Sequence, residues 1–371
     1  MQLKQIARDA LLKPLQAVSG IVERRHTLPI LANVLLEQRE GRLYVTATDL
    51  EMQITAYSLL DGKDGQAVTV GARKLQDLLR ALPDDASLNV DAASNKMTVK
   101  AGRSRFNLQT LPAADYPRIS LGTEQLQTLS LPQKDLRSLF KLAEFAMAQQ
   151  DIRYYLNGML LVVDNGTLQA VATDGHRLSW ASIPVAGEGT TPLQRQEVIL
   201  PRKTVLELGK LLEDSDNPVT LDILGNQVRF RFANVELVSK VVDGKFPDFN
   251  RVIPVGHAKE VELTRVEMLA ALDRAAILSN EKFRGVRIVL ETNQLKIICT
   301  NSEQEEAEEE LEIAYTGDAL DIGFNITYLL DALRNLTVER VRFAFGDANS
   351  SALITMPGRD DYKYVVMPMR I

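Results

Sequence analysis

The chain has 371 residues, 45% of them hydrophobic and 25% charged, with a formal net charge of −6. This composition excludes a disordered or fibrous protein, and at roughly 100 to 150 residues per domain the length predicts two or three domains. Cys299 is the single cysteine, so no internal disulfide can form, and no stretch approaches the roughly 20 apolar residues of a membrane span. A cytoplasmic protein is expected.

In chain order, residues 4–25 read as a first helical stretch, with Pro14 against it, because an interior proline removes a hydrogen bond and crowds the preceding turn. Asn33-Val-Leu-Leu-Glu37 and Gly41-Arg-Leu-Tyr-Val-Thr-Ala-Thr48-Asp49 then alternate with the period of half-buried antiparallel strands. Ala72-Arg73-Lys74 opens a second helical stretch, and Arg103-Ser-Arg-Phe-Asn-Leu108 reads as an edge strand, basic on one face and apolar near its end. The pattern recurs. Leu136, Leu139, Phe140, Ala143 and Met147 fall at helical spacing, followed by strand markers at Gly158-Met-Leu-Leu-Val162 and Gly166-Thr-Leu-Gln-Ala-Val-Ala-Thr173-Asp174. Pro201-Arg202-Lys203 then leads Val205, Leu206, Leu208 and Leu211. A third copy carries Gly285-Val-Arg-Ile-Val289 and Asn293-Gln-Leu-Lys-Ile-Ile-Cys-Thr300-Asn301, with Phe324-Asn325-Ile326 in place of the basic pair and Leu329, Leu330 and Leu333 behind it. The spacing from Thr48 to Thr173 to Thr300 is 125 and then 127 residues. Three α+β domains, 1–125, 126–256 and 257–371, are therefore expected, each an antiparallel sheet with two helices over one face.

Charge divides along the same lines. The six helical stretches hold 20 Lys and Arg against 12 Asp and Glu, a balance of +8 in a chain of −6, so strands and loops are acidic. A solvated face explains any single helix, but the excess recurs from helix to helix. Asp174-Gly-His176 admits a hydrolase reading, in which the aspartate orients a general base. Against it, there are only three histidines, His26, His176 and His257, none at zinc-ligand spacing, and Asp49 and Asn301 replace Asp174 in the other copies, as a turn residue would. No glycine loop suited to phosphate is present, so no cofactor or metal is expected. A generic interaction scaffold of repeated domains is the other reading.

Six segments narrow these readings. Thr27-Leu-Pro-Ile-Leu31, Arg153-Tyr-Tyr-Leu-Asn-Gly-Met159, Ala172-Thr-Asp-Gly-His-Arg-Leu178, Phe246-Pro-Asp248, Ala275-Ala-Ile-Leu-Ser-Asn-Glu-Lys-Phe-Arg-Gly285 and Tyr364-Val-Val-Met-Pro-Met-Arg370, in that order, closely resemble the bacterial sliding clamp family, the beta subunit of DNA polymerase III holoenzyme. The resemblance implies the DNA-clamp fold, two chains closing head to tail into a ring around duplex DNA, and a non-catalytic processivity factor of the cytoplasm and nucleoid. It carries DNA contact onto Arg25, Arg73, Lys74, Gln150, Tyr154, Tyr155, Arg202 and Lys203.

A peptide-binding pocket is carried onto Leu156, Thr173, Gly175, His176, Arg177 and Leu178, then Pro247, Arg251 and Val252. Asn325, Tyr328 and Ser351 join it, with Val365, Met367, Pro368, Met369 and Arg370 from the tail. Dimer closure falls on Arg103, Arg105, Phe106 and Leu108 against Ile277, Leu278, Glu303, Glu305 and Glu306. The implied partners are duplex DNA without sequence preference, a second copy, a clamp loader, and polymerase subunits and repair proteins through short linear peptides; no membrane is implied. Basic helices turned toward phosphates and an acidic exterior would account for the charge split.

Overall fold

The computed structural model describes residues 1–23, 28–60, 64–93, 95–124, 126–187 and 195–371. Two compact units result, one of Met1–Lys134, Ala186–Pro192 and Leu206–Val241, the other of Asp135–Val185, Leu193–Val205 and Val242–Ile371. The first is built on one sheet of 13 strands, ordered Gln2–Ala7, Ser87–Ala93, Lys96–Ala101, Ser104–Leu111, Val68–Gly71, Asn33–Arg39, Arg42–Thr48, Met52–Leu59, Val235–Lys240, Gln227–Phe232, Pro218–Leu224, Gln127–Pro132 and Ala186–Gly187. The second has eight strands, Gln196–Pro201, Gly158–Asp164, Thr167–Thr173, Arg177–Pro184, Tyr362–Val366, Ala352–Thr355, Arg340–Phe345 and Lys259–Thr264. Beside them a four-stranded sheet runs Glu306–Glu312, Gln294–Thr300, Gly285–Glu291, Leu320–Asn325.

The repeat is visible in these orders. Each copy contains a three-strand meander, Asn33–Arg39 to Met52–Leu59, Gly158–Asp164 to Arg177–Pro184, and Gly285–Glu291 to Glu306–Glu312. Each middle strand ends on the marker threonine, Thr48, Thr173 or Thr300. The third strand of the first meander pairs with Val235–Lys240, Ile54 opposite Leu237, and that of the second pairs with Tyr362–Val366, Leu178 opposite Val365. The third strand of the last meander, Glu306–Glu312, has only Gln294–Thr300 beside it among the described residues.

Among the described residues there are six α-helices: α1 Arg8–Val18, α2 Ala72–Ala81, α3 Gln133–Ala143, α4 Arg202–Leu211, α5 Arg265–Ala276 and α6 Ile326–Asn335. The second helix of each copy begins where the sequence marker falls, at Ala72, Arg202 and Ile326. α1 lies against Arg42–Thr48 and Met52–Leu59, and α5 lies against Gln294–Thr300 and Glu306–Glu312. The expected stretch 4–25 is divided. Gln2–Ala7 is a strand that buries Leu3 and Ile6 and pairs with Ser87–Ala93, so the helix starts only at Arg8.

Pro14 does not break α1. The Ala10 carbonyl, left without a backbone donor by the proline, accepts instead from the Ser58 hydroxyl at 2.5 Å, while the buried ring adds apolar surface to the core. The helical spacing that includes Met147 also overshoots: α3 ends at Ala143, a 3-10 turn covers Glu144–Ala146, and Met147 is buried beyond it.

Candidate functional site

In the second unit an apolar cleft of about 460 Å³ opens beside the turn between Thr167–Thr173 and Arg177–Pro184. Its floor belongs to the core: Leu156, Leu178, Phe246, Phe249 and Val365 are at least 93% buried in one hydrophobic cluster. A floor so packed is preformed, because moving any of these side chains would open voids in the sheet beneath. The rim is exposed and varied, with His176, Arg251, Val252 and Met367 around it.

Asp174 builds the turn. Its Oδ1 accepts from the His176 and Arg177 amides at 2.9 and 3.1 Å, and Thr173 Oγ1 accepts from the Gly175 amide at 3.1 Å. Asp49 in the first copy accepts from the Glu51 and Met52 amides, and Asn301 in the third accepts from the Glu303 and Glu305 amides. One side-chain turn therefore recurs three times, and the aspartate does not orient the His176 ring. That ring instead stacks near Tyr328, centroids 6.5 Å apart and planes 19° apart. The Asp174–His176 pair is a turn and a rim, not a catalytic dyad.

Arg177 anchors the cleft wall. Its guanidinium donates to Asp174 Oδ2 at 3.0 Å, to Asp331 Oδ2 at 2.6 Å and to the Phe145 carbonyl at 2.8 Å, and lies 4.5 Å above the Tyr328 ring. One side chain thus ties the turn to α6. Arg153 closes the other side: it donates to both Asp151 oxygens and to the Asp174 carbonyl, lying across Gly175. A Cβ at Gly175 would stand 2.8 Å from Arg153 Nη2, and its φ of +88° favours glycine as well. Hydrogen bonds from Arg153 hold the Asp151 carboxyl down at about 2.

Twelve of the seventeen expected pocket residues line this cleft: Leu156, Thr173, Gly175, His176, Arg177, Leu178, Pro247, Arg251, Val252, Ser351, Val365 and Met367. Tyr328 stands behind Arg177 and His176, and Asn325 caps α6 by accepting from the Thr327 amide. Met367 holds to the turn through its amide, which donates to the His176 carbonyl. Pro368, Met369 and Arg370 are not in the lining; the Met369 amide donates to the Gly323 carbonyl, and Gly285 and Gly323 leave the space that Ile371 occupies. Arg153, Phe246 and Phe249 line the cleft without having been singled out, although all three flank or fall within the motifs Arg153-Tyr-Tyr and Phe246-Pro-Asp248.

The expected DNA contacts fall mainly at helix starts. Arg73 and Lys74 are exposed in the first turn of α2, and Arg202 and Lys203 are half-buried in that of α4. Cations there oppose the positive end of the helix dipole, at about 0.3 to 1 kcal/mol each, and reinforce an anion-attracting terminus. Arg202 also donates to the Met147 carbonyl at 3.3 Å. Tyr154, 57% exposed, meets Tyr155 edge to face at 5.8 Å, and Gln150 is exposed at a positive φ beside them. Arg25 lies outside the described residues.

The residues expected at dimer closure lie on open surfaces. Among the described residues, Ser104–Leu111 pairs with Lys96–Ala101 along its length and with Val68–Gly71 only at Thr110 and Leu111, which leaves Arg105, Phe106 and Leu108 on an edge without a further strand, next to Arg103. Glu305 and Glu306 are exposed at the start of the acidic edge strand, after Glu303, and Ile277 is 78% exposed with Leu278 half-buried.

Three repeated domains, a preformed apolar cleft and basic helix starts, with the recurring aspartate committed to a turn, define a multidomain binding protein. Models of the DNA polymerase III beta subunit match the chain from end to end, the N-terminal domain over residues 1–120, the central domain over 130–248 and the C-terminal domain over 250–370. The beta sliding clamp of Pseudomonas putida is 50% identical over 99% of both chains, and that of Escherichia coli 46% over 99% of both. A crystal structure of the DNA polymerase III subunit beta from Pseudomonas aeruginosa superposes with a TM-score of 0.95 at 49% identity, covering both chains in full. The chain belongs to the DNA polymerase III beta subunit family, the beta sliding clamps. It is a non-catalytic processivity factor of DNA replication. Among the described residues, no helix is long and apolar enough to cross a membrane.

Proposed function

We propose that two copies of this chain close head to tail into a ring that encircles duplex DNA, slides without sequence preference and tethers polymerase by a short peptide in the cleft around His176, Arg177 and Met367. One observation supports closure above all. Within the chain, the third strand of each of the first two meanders receives the last strand of the following repeat. Two strands lack such a neighbour among the described residues: acidic Glu306–Glu312 and basic-edged Ser104–Leu111, the equivalent last strand of the first repeat. Pairing them between copies continues the pattern, sets Arg103 and Arg105 near Glu305 and Glu306, and covers Phe106, Leu108, Ile277 and Leu278.

On this reading the domains are 1–125, 126–256 and 257–371, with Arg25, Arg73, Lys74, Arg202 and Lys203 supplying charge to phosphates and Gln150, Tyr154 and Tyr155 meeting the backbone or unpaired bases. Tethering raises the local polymerase concentration, so a released enzyme rebinds before it diffuses away. A relative from Pseudomonas aeruginosa has been crystallised bound to griselimycin. A clamp loader opens the ring, and the protein works at the nucleoid in the cytoplasm.

The test is retention on DNA. The protein is loaded on a nicked circular plasmid with a clamp loader and passed through a sizing column at raised salt, before and after the circle is cut. Retention on the circle with loss from the linear form is expected, since salt screens phosphate contacts but cannot undo a topological link. Equal loss from both forms would overturn the ring.

A further inference from the structure

A second concavity, a polar groove of about 640 Å³, lies in the first unit where Met52–Leu59 joins Val235–Lys240. Arg42, Tyr44 and Thr46 alternate with buried Leu43, Val45 and Ala47, so they stand on the sheet face that α1 does not cover. Arg39 and Arg42 are direct cross-strand partners flanking the Glu40-Gly41 turn, whose φ angles are both positive. Like charges placed directly opposite destabilise a hairpin, so this pair carries a cost that its ring contacts must offset. Each guanidinium lies over a tyrosine, Arg39 4.4 Å above Tyr44 and Arg42 4.5 Å above Tyr57, and the two rings are themselves cross-strand partners 5.6 Å apart.

The other arginines of the groove are compensated: Arg118 pairs with Glu37 at 2.8 Å, and Arg231 with the fully buried Asp222 at 3.2 Å. Arg39 and Arg42 have no carboxylate within ion-pair distance among the described residues. The fold does not require them. At the equivalent cross-strand positions the second repeat has Asp164 with Thr167 and Gln169 with Ser182, and the third has Glu291 with Gln294 and Lys296 with Glu310. Only the first copy carries this set, in a chain whose strands and loops are otherwise acidic.

We infer that this groove docks an acidic peptide segment of a partner protein, with carboxylates held by Arg39 and Arg42. The tyrosine faces are already covered, so the groove offers planar N–H forks rather than bare rings; forks suit carboxylates, whereas bare rings would suit stacked bases. The site is separate from the apolar cleft and does not depend on ring closure.

Fluorescence anisotropy of a labelled decaglutamate peptide with the full chain tests it. Arg39→Glu with Arg42→Glu is expected to weaken binding at least about tenfold, and Arg39→Lys with Arg42→Lys, which keeps the charge but not the fork, a few-fold. Arg73→Glu with Lys74→Glu on α2 is expected to leave it unchanged. Undiminished binding by the glutamate pair overturns the proposal, as does loss of binding in the α2 variant alone. Tighter binding of a labelled ten-residue oligothymidine that the glutamate pair abolishes would also overturn it, assigning the groove to nucleic acid.

Discussion

Replacing Arg177 by methionine keeps the volume of the side chain and removes its fork. In the wild-type protein that fork, 10% exposed, satisfies Asp174 and Asp331, which are 18% and 29% exposed, and the Phe145 carbonyl. Hydrogen bonds to charged groups contribute about 1.5 to 3 kcal/mol each, and truncating one partner of a fully buried pair costs about 3 to 5 kcal/mol. Both carboxylates here retain some water, so about 2 to 3 kcal/mol is expected in total, with coupling to Asp331→Asn of about 1 to 2 kcal/mol in a double-mutant cycle. Global unfolding is a poor readout in a chain of two compact units, because it need not be two-state. Hydrogen exchange of the paired strands Arg177–Pro184 and Tyr362–Val366 is the direct one. At about 1.4 kcal/mol per decade, protection should fall about 30- to 150-fold in Arg177→Met. A change under about threefold would show that the sheet, not the arginine, holds the cleft wall, and would refute the reasoning.

Ser58→Ala strips the Ala10 carbonyl of the donor that replaces the missing amide, so α1 should lose about 1 to 3 kcal/mol, seen as faster exchange of the Leu11–Val18 amides, whereas Ser58→Thr should restore most of it. Asp151, held at about 2 by Arg153, is a depressed carboxylate: its contribution is complete above the unfolded pKa of about 4 and is lost only as pH falls through the folded value. The Arg153 amide resonance should therefore stay flat from about pH 7 to pH 3, and an inflection near pH 4 would contradict the pairing. Burial pushes the Cys299 thiol up to about 11, so the native protein should resist alkylation at neutral pH and react only when unfolded.

Much of this was legible in the sequence because the repeat supplies its own controls. Thr48, Thr173 and Thr300 end equivalent strands, and the dipeptides at 73–74 and 202–203 open equivalent helices, so local patterning and fold agreed at each copy. The failures share a physical cause, since tertiary contacts decided them. Residues 4–7 looked helical by continuity with α1, but Gln2–Ala7 is a strand because Leu3 and Ile6 could be buried against Ser87–Ala93. Pro14 counted against the first helix, although its neighbours fit, because the Ser58 hydroxyl that relieves the Ala10 carbonyl is remote in sequence. Phe246 and Phe249 sit in a segment without helical or strand period, and only the packed cluster shows them to be cleft floor.

The division of labour within the repeat follows from which positions are buried. Inward residues such as Leu43, Leu168 and Leu295 stay apolar in all three copies, because each must fill the same space between sheet and helix. Outward residues carry no such constraint, and there the copies part: Tyr44 opposite Tyr57, Gln169 opposite Ser182, Lys296 opposite Glu310. The same freedom at the turn after each marker threonine gives Asp174 the company of Gly175 and His176 in the second copy, where the cleft opens, and glutamates in the others. A repeated core thus constrains the fold three times over while each outer surface acquires its own chemistry. Difference between copies at an outward position is then the feature that marks a binding surface, and it is the reason the Arg39–Arg42 pair merits the peptide assay.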